Sequence, residues 1–244
     1  MSRPVVISNR VIQMTRLGDY GRFGNQLFQY AFLRAYAERN QCEFQTPHWI
    51  GEDIFSLPCK RPNVELPTLA KERLAGEINI DAIGYFQNSY CLTWYRRPWV
   101  KEIFKINDHM MKKTRYNTGK VVVHKRRGDY VNNPAFCTVS DKAYGRFIDK
   151  MGFTDVIVFD DSRPADLWLS DFITMINAKV LIRSNSSFAW WAGTLGNATV
   201  YAPVVDDKTG TRDDIEFVRG NFPRTCDTRN IPGSTIHDDL FLGE

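Results

Sequence analysis

Short, unbroken apolar runs recur through the second half of this chain, at residues 121–124, 156–159, 179–182 and 199–202. Each has the length of a buried strand and ends at polar or glycine-containing sequence. Between the second and third runs, Pro164 to Ala178 offers Leu167, Leu169, Phe172 and Ile176 to one buried face and predicts a helix. Strand alternating with helix predicts a parallel sheet and a Rossmann-like C-terminal half. The N-terminal half opens in the same way. Val11-Ile12-Gln13-Met14 reads as a strand, and Phe28, Ala31, Phe32 and Ala35 then fall at helical spacing. Asn25 stands where the N-cap of that helix belongs. A Pro-rich middle runs from Pro47 to Pro67, and the polar stretch from Lys105 to Lys120 reads as a connection between halves. With 244 residues, the chain can bury one large core or two small ones.

Three segments carry candidate chemistry. His124-Lys125-Arg126-Arg127-Gly128-Asp129-Tyr130 follows the strand-like Val121–Val123. In open α/β sheets ligands sit at the carboxyl ends of strands, and a guanidinium forks onto phosphate oxygens while staying charged. Arg183-Ser184-Asn185-Ser186-Ser187-Phe188-Ala189-Trp190-Trp191 follows another apolar run. Strand, hydroxyl residues and helix start together make an anion site of free backbone N–H groups; the plainer reading is a Ser N-cap with both tryptophans in the core. Near the N-terminus, Gly21-Arg22-Phe23-Gly24-Asn25-Gln26-Leu27-Phe28-Gln29-Tyr30 places two glycines before a helix. It is neither a P-loop nor a dinucleotide fingerprint, because the spacing each requires is absent.

In this order, the three segments resemble glycosyltransferase family 11, the inverting α-1,2-fucosyltransferases. Gly84-Tyr85-Phe86-Gln87 is similar to that family's mid-chain motif, and the Gly21–Gln26 string also resembles the related GDP-fucose protein O-fucosyltransferases. The resemblance runs from about residue 11 to about 205, with Ala189 where the family has a third Ser, Lys125 where it has an apolar residue, Arg22 where a second Gly is frequent, and Ala178 where many members have a Cys. It implies two facing Rossmann-like domains of the GT-B type. The expected division is an acceptor-side domain over residues 1–110 and a GDP-fucose-binding domain over 111–244, with the last residues free to pack back on the first half.

The resemblance also implies residue roles. Arg126 contacts the β-phosphate of GDP, His124 lies near the nucleotide, and Asp171 reads the guanine edge. Ser186, Ser187 and Phe188 hold the diphosphate. Asp160-Asp161 follows the run at 156–159, and Asp161 is assigned to the nucleotide side rather than to a metal, because the family uses Arg in place of a cation. Gly24, Asn25 and Gln26 face fucose and acceptor. Arg126 and Asn25 are the expected catalytic residues, with GDP-fucose as donor substrate and neither cofactor nor metal. Arg127 is open between a structural role and a contact with Asp129, and the base is open between Asp129 and Asp19. The implied reaction is inverting transfer of L-fucose to a glycan hydroxyl, the 2-OH of a galactoside. The alternatives are another linkage, or a GDP-sugar-binding protein without catalysis.

Composition changes this picture little. Hydrophobic residues at 43% and charged residues at 25% are ordinary for a globular protein. A net charge of +4, from 32 basic and 28 acidic residues, gives no reason to expect a nucleic-acid partner. The five cysteines, Cys42, Cys59, Cys91, Cys137 and Cys226, have no metal or redox spacing and read as reduced thiols. No stretch has signal-peptide or membrane-span quality, so the expectation is a cytoplasmic enzyme of microbial or viral type. Arg127-Gly128-Asp129 is also an RGD tripeptide; an adhesion ligand would need it at an exposed loop tip, and the buried strand before it argues otherwise.

Overall fold

The computed structural model describes residues 10–131, 133–160, 164–205 and 208–222. It is an α/β chain in two compact units, one reaching Tyr95 and taking in Glu102–Asn107, the other holding Arg96–Lys101 and the chain from Asp108 onward.

The first unit is built from β1 (Val11–Gln13), α1 (Phe23–Asn40), β2 (Glu43–Gln45), α2 (Ile50–Phe55), β3 (Thr68–Ala70), β4 (Ile80–Ile83) and α3 (Ser89–Leu92). Its sheet has the order β2-β1-β4-β3, and every pairing is parallel. Helix α1 buries Leu27, Tyr30, Phe32, Leu33 and Tyr36 completely, so it is covered on several sides. Phe32 stacks on Phe86 with ring centroids 4.6 Å apart, and Tyr30 packs against Phe44, Trp49 and Phe104. The helix starts earlier than the sequence predicts. Arg22 is the N-cap and makes no side-chain cap bond, while Asn25 lies inside the first turn. Gly21, at φ +86, lets the chain turn into the helix before Asn25, whose amide is engaged elsewhere.

The expected polar connection contains helix as well. After α4 (Arg97–Ile103) comes α5 (Asp108–Lys113), which buries no residue. Asp108 in its first turn and Lys112 and Lys113 in its last complement the helix dipole, so local electrostatics support a helix that has no apolar face.

The second unit continues through β5 (Val121–His124), α6 (Gly128–Val131), β6 (Cys137–Val139), α7 (Asp141–Met151), β7 (Val156–Phe159), α8 (Trp168–Ile176), β8 (Val180–Ile182), α9 (Ser187–Leu195), β9 (Thr199–Pro203), β10 (Gly210–Arg212) and β11 (Phe217–Arg219). Its main sheet has the order β11-β9-β8-β5-β7; only the β11–β9 pair is antiparallel. A two-stranded parallel pair, β10-β6, lies apart from it. The four predicted strands are therefore present and parallel. The predicted helix over Pro164 to Ala178 is a 3-10 turn at Ala165–Leu167 followed by α8.

This strand order positions a site. From β5 the chain moves outward to β7, then returns across β5 to β8 and continues to β9. Connections thus leave β5 and β8 in opposite directions, and the gap between their carboxyl ends is the topological switch point where such sheets bind ligands. Among the described residues, no helix is long and apolar enough to cross a membrane.

Candidate functional site

At the switch point, the His124 segment and the Ser184–Phe188 segment meet. His124 ends β5, is 7% exposed, and its Nδ1 lies 2.9 Å from Ser184 Oγ. Burial, with the Arg126 and Arg183 charges nearby, pushes the imidazole from its ordinary 6.5 down to about 3, so His124 is neutral near pH 7. The Tyr144 hydroxyl donates to the His124 carbonyl at 3.1 Å. Helix α9 starts just beyond Ser184. Ser186 caps it, its Oγ accepting from the Phe188 N–H at 3.2 Å, and no acidic residue stands in the first turn. An anion at this end of α9 would meet backbone N–H groups and the positive end of the dipole. The cap and the anion site coexist, because a cap satisfies only part of the helix end. Trp190 and Trp191 are core, at 1% and 0% exposed, in an edge-to-face pair.

Phe188 connects this corner to α8. Its ring lies 5.8 Å from that of His124 and 5.0 Å from that of Phe172. Asp171, beside Phe172 on α8, is buried at 8% exposed rather than set on an open helix face. Asp160 is half-buried at the end of β7; Asp161 lies outside the described residues.

The two arginines after His124 diverge. Arg126 forms an ion pair with Asp129, and its guanidinium lies 5.4 Å from the Tyr130 ring centroid. Arg127 turns the other way, donating to the Val139 carbonyl and to Asp141, each at 2.6 Å. Lys125 also reaches Asp141, at 2.7 Å. Bonds from Lys125 first, and then Arg127, hold the Asp141 carboxyl below its ordinary range. Arg127 is therefore a strut between the loop and α7. Asp129, one contact left open for Arg127, pairs with Arg126, and Lys125 has the charged neighbour that explains a lysine there. The RGD tripeptide is no loop tip, since Arg127 is tied inward and Gly128–Val131 is helical.

Arg183 went unread in the sequence. It is 1% exposed, donates to the Ser184 and Phe222 carbonyls, and burial pushes its guanidinium down to about 9. A buried cation next to the candidate phosphate cradle adds to its positive field. No apolar periodicity or turn signal marks such a residue, which stands at the end of a strand like any polar boundary.

A second constellation forms in the first unit, where the Gly21–Tyr30 and Gly84–Gln87 segments meet. Gln87 Nε2 donates to Asn25 Oδ1 at 2.8 Å. A Cβ at Gly21 would lie 2.7 Å from Asn25 Nδ2 and 2.9 Å from Tyr85 Cε1, so only glycine fits there. Gln26 is buried, and its amide donates to the carbonyls of Gly18 and Gly21, at 2.8 and 3.0 Å. Gln29 donates to the Tyr20 carbonyl at 2.8 Å. Gln26 was expected to face the ligand; its donor group instead holds the glycine loop, because a buried amide must find partners. Gly24 is buried within the first turn of α1. The backbone of Phe86 is left-handed, at φ +52, which costs a non-glycine residue about 1–2 kcal/mol. The Glu72 carboxylate holds that turn, accepting from the N–H groups of Tyr85 and Phe86 at 2.9 and 2.8 Å.

A solved structure shares this fold. The chain aligns with a mutant of Arabidopsis thaliana FUT1 in complex with GDP at 11% identity and a TM-score of 0.53, over 87% of this chain and 74% of that one. It also aligns with the NodZ alpha-1,6-fucosyltransferase soaked with GDP-fucose at 15% identity and a TM-score of 0.47, over 86% and 99%. At such identities the first likeness speaks for the fold alone. No family model matches the sequence, and comparison with the curated proteins finds no match.

The described residues include no group of three His, Cys, Asp or Glu side chains placed to hold a metal ion. Of the expected donor-site residues, His124, Ser186 and Phe188 come together at the switch point, with Arg126 on the loop leaving it and Asp171 on the neighbouring helix. Ser187 is the first residue of α9.

Proposed function

We propose that this chain transfers L-fucose from GDP-fucose to a hydroxyl of a glycan acceptor, the 2-OH of a galactoside, with inversion. The observation that carries the reading is the junction of His124 with Ser184 at the switch point, leading directly into the N-terminus of α9. A diphosphate at that position would meet the backbone N–H end of α9, the Ser187 side chain, Arg126 and the field of Arg183. Asp171 would accept from the N1–H and 2-amino groups of guanine, a donor pair that adenine lacks. The solved structure of similar fold that holds GDP, and the motif resemblance, support the choice of nucleotide.

Cleavage of the bond between fucose C1 and the β-phosphate oxygen leaves negative charge on that phosphate. Arg126 is the group to stabilise it, exchanging Asp129 for the phosphate as charge builds. One such preorganised donor is worth about 3–4 kcal/mol. With a cation supplied by Arg126 and a dipole by α9, the reaction as proposed needs neither metal nor cofactor. The acceptor hydroxyl attacks the opposite face of C1; the motif resemblance assigns Gly24, Asn25 and Gln26 to the fucose and acceptor side, and Gln26 keeps the glycine loop in place. Asp129 is the candidate base on the donor loop.

Thermal unfolding with GDP, ADP and UDP, each with EDTA, tests the donor site. A ligand at 100 times its Kd adds about 2.7 kcal/mol, which for a chain of this size is roughly 5–10 °C. A shift with GDP alone is expected. Equal shifts with all three nucleotides would remove the guanine role of Asp171, and a shift that requires restored Mg²⁺ would replace the metal-free mechanism.

A further inference from the structure

Tyr20 and Tyr85 stack with ring centroids 4.6 Å apart and planes 20° apart, and Tyr85 is 37% exposed. Everything beneath the pair is fixed. Gln29 holds the Tyr20 carbonyl, Gln26 holds the loop on both sides of Tyr20, and Gly21 admits the edge of the Tyr85 ring. On the other segment, Glu72 clamps the N–H groups of Tyr85 and Phe86, and Gly84 lies so close to the Lys71 carbonyl that a Cβ would sit 2.6 Å from it. Phe86 is wholly buried in a left-handed backbone, anchored by its stack on Phe32. A strained turn that buries one aromatic and presents the one before it to solvent is the kind of outlier from which a function is inferred.

We propose that the Tyr20–Tyr85 pair is the platform on which a hexose of the acceptor glycan stacks. The apolar C–H face of a pyranose fits an exposed, rigid aromatic ring, and its hydroxyls need polar groups at the rim. The Asn25–Gln87 amide pair supplies that rim, and Arg16 lies 6.0 Å from the Tyr20 centroid. A single half-exposed ring pair surrounded by amides is too small and too polar to dock an apolar protein surface. The proposal rests on the glycan-acceptor reading above and adds to it the residues that grip the sugar.

Two measurements on the full chain separate this proposal from that reading. In transfer assays, Tyr85→Ala is expected to raise the acceptor KM at least 10-fold, with kcat within about 3-fold and the Kd for GDP unchanged. Tyr85→Phe, which keeps the ring face, is expected to stay within about 2-fold of wild type. Saturation-transfer NMR with lactose and N-acetyllactosamine, without donor, is expected to show contact in wild type and its loss in Tyr85→Ala. An unchanged acceptor KM with contact retained overturns the platform and leaves the donor reading intact. Weakened GDP binding in Tyr85→Ala overturns it by giving the ring to the donor. Absence of GDP binding and transfer in wild type defeats the donor reading, and the NMR contact then decides the platform alone.

Discussion

Lowering the pH should destabilise this protein through one buried imidazole. His124 is neutral in the fold, with its titration pushed from 6.5 to about 3, chiefly by burial and then by Arg126 and Arg183. Unfolded, it titrates near 6.5 again. Below that value the unfolded chain binds a proton that the folded chain refuses, so stability falls as pH falls. The contribution is complete above about pH 6.5 and is lost progressively toward pH 3. Between pH 6.5 and 4.5 the unequal proton binding removes about 2 kcal/mol, at up to 1.36 kcal/mol per pH unit. Carboxylates titrate in the same range, so the variant His124→Asn supplies the difference. Its amide can retain the Ser184 bond but carries no titrating group. Urea unfolding of both proteins at intervals from pH 7.5 to 4.5 should show the wild type losing about 3 kcal/mol more than the variant. Equal losses would mean that His124 takes up its proton in the folded protein, and the neutral imidazole would have to be abandoned.

Further substitutions separate the roles assigned above. Arg126→Ala should lower kcat/KM for GDP-fucose about 10²–10³-fold, the cost of one preorganised donor, without lowering the melting temperature by more than a few degrees. Asp171→Asn should abolish the preference for GDP over ADP in calorimetric titration, since an amide cannot accept from both guanine donors; retained preference would place guanine elsewhere. Gly21→Ala should destabilise the first unit by about 1–3 kcal/mol in urea titration, because its Cβ would overlap Asn25 and Tyr85 at a positive φ.

The parallel sheet of the second unit was legible because its strands are continuous apolar runs. Val121–Val123 and Val180–Ile182 are apolar throughout because they are central strands, paired on both sides. Strands β3, β10 and β11 were not legible: each is three residues long, and two of the three in β3, all three in β10 and two of the three in β11 are exposed. Helix α5 was hidden for a different reason, since it is held by end charges rather than by an apolar stripe. Within the candidate site, motif residues were visible but their partners were not. That Arg127 is the strut to α7 depends on which way its side chain leaves the loop, and the Asn25–Gln87 bond joins positions far apart in sequence. The N-cap assigned to Asn25 failed because Gly21 starts the helix sooner than hydrophobic spacing indicates.

The most direct test of the central claim is transfer itself. The purified chain would be incubated with a galactoside and, separately, with GDP-fucose, GDP-mannose and UDP-galactose, with EDTA present, and the product's linkage and anomeric configuration read by NMR. Fucose joined through an α linkage to the galactose 2-OH, from GDP-fucose alone, is the predicted result. Transfer from another donor, or none from GDP-fucose while GDP binds tightly, would contradict it.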